Sequence, residues 1–156
     1  MRKILKYTVI VLAILFLAAQ FVRPDLTNPS VDPEQGLQAS VAVPENVAAI
    51  LKRSCSDCHT NETTHPWYAQ VTPVNWWLKN HIDEGRREMN FSVWSTYSDR
   101  RKSKKLEEIC EQVESGEMPL PSYLWAHRDA ALTKEDAQLL CEWSRNLRTT
   151  LPETGK

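Results

Sequence analysis

Apolar side chains recur three and four residues apart in four stretches of the chain, which is the spacing of one face of an α-helix. The stretches open at Pro44 and Pro73, cover residues 99–115, and follow a capping box formed by Thr133 and Asp136. No segment longer than four residues alternates as a strand does, so the pattern predicts an all-α fold. The apolar positions are Val47, Ile50 and Leu51; Val74, Trp77, Leu78, His81 and Ile82; Leu106, Ile109, Cys110 and Val113; and Ala137, Leu140, Cys141 and Leu147.

An apolar run covers residues 7–22, interrupted by two polar residues and preceded by three cations. This arrangement is typical of a signal sequence, and Ala18 and Ala19 offer a cleavage site. An uncleaved transmembrane helix over residues 1–23 is the favoured interpretation, and a removed signal peptide is the alternative. Because positive flanks stay in the cytoplasm, we expect a single-pass inner-membrane protein whose body faces the periplasm.

Residues 24–43 contain three prolines among small polar residues and follow neither a helical nor a strand period. We predict a flexible linker here and one domain over residues 44–156. The formal net charge is −1, but the first 23 residues hold four cations and no acid, so the remainder carries −5. A body of that charge is a poor partner for polyphosphates, and we expect no nucleic acid partner.

Cys55, Cys58 and His59 form a C-x-x-C-H motif, the sequence signal of covalent c-type haem attachment. Two cysteines one helical turn apart can form thioethers with the two vinyl groups of one haem, and the adjacent imidazole can bind the iron. A thioredoxin-like dithiol would need a βαβ context, and a zinc site would need a fourth ligand at finger spacing. The motif therefore predicts one covalent haem c, with His59 as the proximal ligand.

Met118 is the candidate distal ligand, because Gly116, Pro119 and Pro121 hold its segment out of a helix. A thioether ligand raises the reduction potential of haem iron. The alternatives are that Met118 only anchors a loop, or that His81, on the apolar stripe of the second predicted helix, is the distal ligand.

These motifs together resemble the haem-binding domain family of membrane-anchored bacterial monohaem proteins, and more loosely class I cytochrome c. The resemblance covers most of residues 45–148 and implies a cytochrome c-like helical fold with Cys55, Cys58, His59 and Met118 in the roles above. It implies no substrate. It is carried by Cys55 to Tyr68, Pro73 to Trp77, His81, Asn90-Phe91-Ser92, Trp94, Gly116-Glu117-Met118-Pro119, Tyr123 and His127.

The sequence also offers aromatic and cysteine residues outside these motifs. Trp67, Tyr68 and Trp77 could wall the haem and exclude water, or they could build an ordinary core. Cys110 and Cys141 lie on apolar helix faces and are either joined in a disulfide or, as we favour, buried as free thiols.

The interpretation that unites these features is a membrane-tethered c-type cytochrome-like protein that transfers one electron at a time with an unidentified redox protein. Filled axial positions disfavour enzymatic chemistry, so an electron carrier is expected rather than an enzyme. A haem-based redox or gas sensor with a labile Met118 is one alternative, and a peroxidase-like enzyme using His81 with Glu84 is another.

Overall fold

The computed structural model describes residues 1–152, and within them every regular element is helical. The all-α prediction is therefore confirmed. Short 3-10 turns at Pro33–Gln35, Trp67–Gln70, Phe91–Thr96 and Arg128–Ala130 connect the α-helices. The α-helices are α1 (Arg2–Ala19), α2 (Leu37–Ser40), α3 (Glu45–Ser54), α4 (Ser56–His59), α5 (Val74–Glu88), α6 (Asp99–Ser115), α7 (Pro121–Leu124) and α8 (Lys134–Thr149).

Three of the four predicted helices, α3, α6 and α8, form with the expected signals at their ends. The Thr133 hydroxyl accepts from Asp136 N while the Asp136 carboxylate accepts from Thr133 N, so the capping box at the start of α8 is present. Gly116 ends α6 with a φ of 74°, a left-handed conformation that glycine adopts at low cost. The main core lies between these helices, and its buried members include Val47, Ile50, Leu51, Trp94, Leu106, Ile109, Leu140 and Trp143.

The remaining predicted helix, α5, forms but differs from the expectation in burial. It continues through Gly85 to Glu88, and of its apolar stripe only Leu78 and Ile82 are buried. Trp77 is 45% exposed and is not part of the small cluster that Leu78 and Ile82 form with Ala69.

Helices α6 and α8 pack along each other and are joined by a disulfide between Cys110 and Cys141. The expectation of two free thiols is corrected here. The sulfur atoms meet because the apolar faces of α6 and α8 pack against each other. The apolar pattern of one helix does not reveal which other helix it packs against.

The N-terminal helix does not have the properties that its sequence suggested. Helix α1 ends at Ala19, so Phe21 and Val22 lie outside it, while its 18 residues include Arg2, Lys3 and Lys6. Within residues 1–152 no helix has both the length and the apolar character needed to cross a bilayer. The prediction of a transmembrane helix, and the single-pass inner-membrane location derived from it, is therefore wrong.

Residues 24–43, expected as a flexible linker, pack on the helical body. The Asn28 amide donates to Thr63 O, and the Asn61 amide donates to Ser30 O. The Arg86 guanidinium donates to Asn28 Oδ1, and Leu37 is only 4% exposed. Polar groups of residues 24–43 thus have hydrogen-bond partners on the body at Asn61, Thr63 and Arg86. The division into domains stays a prediction.

Removing the disulfide should destabilise the fold. Replacing Cys110 and Cys141 with alanine frees a loop of 31 residues in the unfolded chain. We expect the free energy of unfolding to fall by about 4 kcal/mol, measured by urea denaturation under non-reducing conditions. The intact chain should be lighter than its reduced form by two hydrogen atoms in mass spectrometry. Equal free energies of unfolding for the unaltered protein and the double-alanine variant would contradict a stabilising role of the disulfide.

Candidate haem site

A cavity of about 420 Å³ lies where α3, α6, α8 and the segment after α6 meet. Three of the predicted haem-site residues line it, although 63 positions of sequence separate the first from the last. They are the attachment residue Cys55 and the candidate iron ligands His59 and Met118. The volume falls within the range of pockets that hold small organic ligands. Its apolar walls come from Leu51, Phe91, Ile109, Val113, Pro119 and Leu140.

His59 is held in one orientation at the end of α4. Its Nδ1 lies 2.9 Å from the carbonyl oxygen of Met89, the residue that follows α5. An imidazole that donates from Nδ1 to a carbonyl presents Nε2 as the nitrogen for a metal ion. Burial lowers the pKa of His59, which favours the neutral ring that metal binding needs. His59 therefore lines the cavity with a ring that is held in place, and its assignment as an iron ligand stays a prediction.

The two cysteines of the motif face different surroundings. Cys55 lines the cavity and contacts the main core, whereas Cys58 packs against the cluster of Ala69, Leu78 and Ile82 beside α5. Burial raises the pKa of Cys55 to about 12 and that of Cys58 to about 11. Both side chains are therefore neutral thiols at pH 7. Thiolate-based dithiol chemistry of the thioredoxin kind is disfavoured in this environment.

At Gly85 the backbone of α5 passes close to the backbone of α4. A Cβ atom there would lie 2.8 Å from the carbonyl oxygen of Cys58 and 3.0 Å from Cys58 Cβ. Backbone cannot move aside as a flexible side chain can. Only glycine allows this contact, which sets the position of the attachment turn relative to Met89.

Met118 lies in the loop between α6 and α7. Its backbone N donates to Gln112 O in the last turns of α6 at 3.1 Å. Met118 lines the same cavity as His59, and its role as the distal ligand stays a prediction.

One end of the cavity is polar. Lys105 is 9% exposed, and its Nζ lies 2.6 Å from Glu108 Oε2 and 3.2 Å from Glu88 Oε2. The hydrogen bonds to both carboxylates raise the pKa of Lys105 against the opposing effect of burial, so the ammonium stays charged. The cavity is thus apolar over most of its wall and ionic at one edge.

The residues that line the cavity fit a haem. A haem combines a large apolar ring with two carboxylate arms. The ring matches the apolar walls of the cavity, while Lys105, the cation at the ionic edge, is already paired with Glu88 and Glu108. Ser54 is one of the lining residues, and its hydroxyl is buried without a hydrogen-bond partner among residues 1–152, as a polar atom beside a ligand site would be. Imidazole, thioether and thiol groups are the donors that haem proteins use.

The other residues considered from the sequence lie away from this cavity. His81 is on α5, and its Nδ1 lies 2.8 Å from the carbonyl oxygen of Trp77 on the same helix. Trp67 is 80% exposed, and Tyr68 Oη lies 2.7 Å from His127 Nε2. Neither these three aromatic residues nor His81 contribute to the cavity wall. Trp67, Tyr68 and Trp77 are close to the C-x-x-C-H motif in sequence. The Trp67–Gln70 turn and α5, on which they lie, direct them away from the cavity.

A second groove of about 610 Å³ is lined by residues 31–33 and 36–39 and, on α4 and just after it, by Ser56, Asp57 and Thr60. It contains none of the predicted haem-site residues. We therefore place the candidate haem site in the smaller cavity.

Residues 14–146 match the haem-binding domain family. Because the match covers most of the 156 residues, the chain belongs to this family and is a haem-binding protein. The resemblance inferred from the motifs is thereby confirmed. No curated protein and no solved structure matches the chain.

The close approach at Gly85 gives a test of the site's architecture. We expect Gly85→Ala to lower the free energy of unfolding by about 1–3 kcal/mol, because the new methyl group meets Cys58 backbone and this outweighs the better helix propensity of alanine. Urea denaturation measures the change. Gly36→Ala is the control, since a Cβ there would meet Pro33 O at an ordinary 3.4 Å. A Gly85 variant as stable as the Gly36 variant would contradict the steric argument.

Proposed function

We propose that this chain is a c-type cytochrome-like protein that carries one electron at a time on a single covalent haem. Cys55 and Cys58 would be the attachment residues, and His59 and Met118 the two axial ligands. The observation that carries the proposal is that His59, with Nδ1 already bonded to Met89 O, and Met118 line one cavity.

Bound haem supplies an iron that accepts and releases one electron. The chain's residues would set how readily it does so. The Met89 carbonyl keeps the His59 ring oriented, and the Met118 thioether favours the ferrous state. Leu51, Ile109 and Leu140 exclude water from the ring, which also disfavours the more highly charged ferric state.

Attachment requires only the thiols and the vinyl groups. Each thiol would add across one vinyl double bond, so that one sulfur–carbon bond would form and the thiol hydrogen would pass to the vinyl group, with no oxidant consumed. Cys55 lies at the cavity for this addition. Cys58, one turn further along, would turn from the α5 cluster toward the same ring.

An electron carrier needs a donor and an acceptor, so we infer an unidentified redox protein as partner. With both axial positions filled, peroxide or a gas would reach the iron only after Met118 dissociates from it. The peroxidase alternative drew on His81 with Glu84, but His81 bonds to its own helix and Glu84 is exposed. The structure offers no observation that favours the sensor alternative over electron transfer.

Spectroscopy of the purified holoprotein tests this proposal. The pyridine haemochrome assay should report one haem per chain joined by two thioethers. The ferric protein should show the weak far-red absorption band of Met-ligated haem, and Met118→Ala should abolish it because the sulfur ligand is gone. His81→Ala is the control and should retain the band. Persistence of the band in Met118→Ala, or haem extracted by acid acetone, would contradict the proposal.

A further inference from the structure

The loop that carries Met118 is joined to the haem-attachment turn by an aromatic and acidic cluster. Tyr123, on α7, donates its hydroxyl to Asp57 Oδ2 at 2.7 Å. Asp57 lies on α4 between Cys55 and Cys58. The bond therefore connects two segments 66 positions apart, one with the attachment residues and one with the candidate distal ligand.

His127 supports the Tyr123 ring from its other side. The two rings are stacked with centroids 4.2 Å apart and planes only 7° apart. His127 Nε2 also lies 2.7 Å from Tyr68 Oη, in the Trp67–Gln70 turn. We call Asp57, Tyr68, Tyr123 and His127 the Tyr123 cluster. It fixes α7 to two separate parts of the body.

The Tyr123 hydroxyl is suited to this role. Burial and the hydrogen bond to Asp57 both raise the pKa of Tyr123, so the hydroxyl keeps its proton and remains a donor at neutral pH. A hydrogen bond to a carboxylate is among the stronger ones in proteins. The Asp57 carboxylate is itself held, because Oδ1 accepts from Thr64 N at 3.2 Å.

The Met118 loop is anchored at both of its ends by these contacts. Upstream, Met118 N is bonded to Gln112 O on α6. Downstream, Pro119 and Pro121 restrict the backbone as far as α7, where Tyr123 is bonded to Asp57. A ligand atom must be held within about 0.5 Å of its working position by the residues behind it. The Tyr123 cluster is the contact that ties this loop to the turn holding His59.

We propose that Tyr123 is a positioning residue that, through its hydrogen bond to Asp57, holds the Met118 sulfur at the haem iron. This inference rests on the proposed function, in which Met118 is the distal ligand. Tyr123 itself does not line the cavity. Its loss should therefore loosen the distal ligand without removing the haem.

Tyr123→Phe tests the proposal, because phenylalanine keeps the stacked ring and removes only the hydroxyl. Haem content by pyridine haemochrome should equal that of the unaltered protein. The far-red band of the ferric protein should lose at least half its intensity, and carbon monoxide should bind the ferrous protein about tenfold faster. Both readouts follow Met–iron ligation, and a purely structural residue would leave them unchanged.

Arg53→Gln is the matched control. It also removes one charged side-chain hydrogen bond between distant segments, from Arg53 to Asp136 at 2.9 Å, but it does not touch the Met118 loop. We expect a small loss of stability with an unchanged band and unchanged carbon monoxide binding.

Asp57 variants complete the test. Asp57→Asn retains an oxygen that can accept from Tyr123 and should show less than half of the Tyr123→Phe effect. Adding Asp57→Ala to Tyr123→Phe should change the band no further, because one interaction has already been lost.

The outcomes separate this inference from the proposed function. An unaltered holoprotein without the far-red band contradicts Met118 ligation and the inference with it. If that band is present and Tyr123→Phe retains it at full strength with full haem content, only the inference is overturned. Should Asp57→Ala fail to take up haem, the Tyr123→Phe and Asp57→Asn results decide alone.

Discussion

The hydrogen bond between His59 Nδ1 and the Met89 carbonyl is the contact on which the organisation of the site depends. It joins α4, a helix of four residues that could not hold a side chain steady alone, to the end of the long helix α5. The bond forms only because α5 passes close to α4, and Gly85 makes that approach possible. The packing of α5 against α4 thus sets the orientation of the imidazole. Because Nδ1 is bonded to the Met89 carbonyl, Nε2 is the nitrogen that the ring can present to the cavity.

The opposite wall of the cavity comes from α6 and α8, which are held together more firmly than any other pair of elements. Their facing stripes bury Leu106 and Leu140, and the disulfide between Cys110 and Cys141 links them covalently. Ile109 and Leu140, the sequence neighbours of these cysteines, line the cavity. The disulfide is therefore well placed to keep the wall of a haem site in shape when much of the interior belongs to the ligand rather than to the polypeptide.

The attachment turn is surrounded by polar side chains that fix the chain around it. Arg86 donates to Thr60 O and to Thr63 Oγ1, and Thr63 Oγ1 donates to Asp57 O. Through Asn28 the same guanidinium holds the segment before α3. The short segment from Cys55 to Thr63 thus has contacts with α5, with the N-terminal segment and with α7. Such a network favours a turn that keeps its shape.

The sequence by itself determined the helices and the chemistry of the motif. Periodicity and caps place α3, α6 and α8, because these signals act within one turn of chain, and C-x-x-C-H indicates haem from adjacent residues alone. Only the tertiary structure decided which residues meet. Cys110 pairs with Cys141, Lys105 with Glu88, and His59 with a backbone carbonyl that no residue type reveals. Trp67, Trp77 and His81 were expected beside the haem but do not line the cavity. The direction of a side chain depends on its position around the helix or turn and on how that element packs, not on nearness in sequence. The prediction of a transmembrane helix from residues 7–22 was wrong for a related reason. The run is apolar in composition, but the helix that forms from it begins among cations and ends at Ala19.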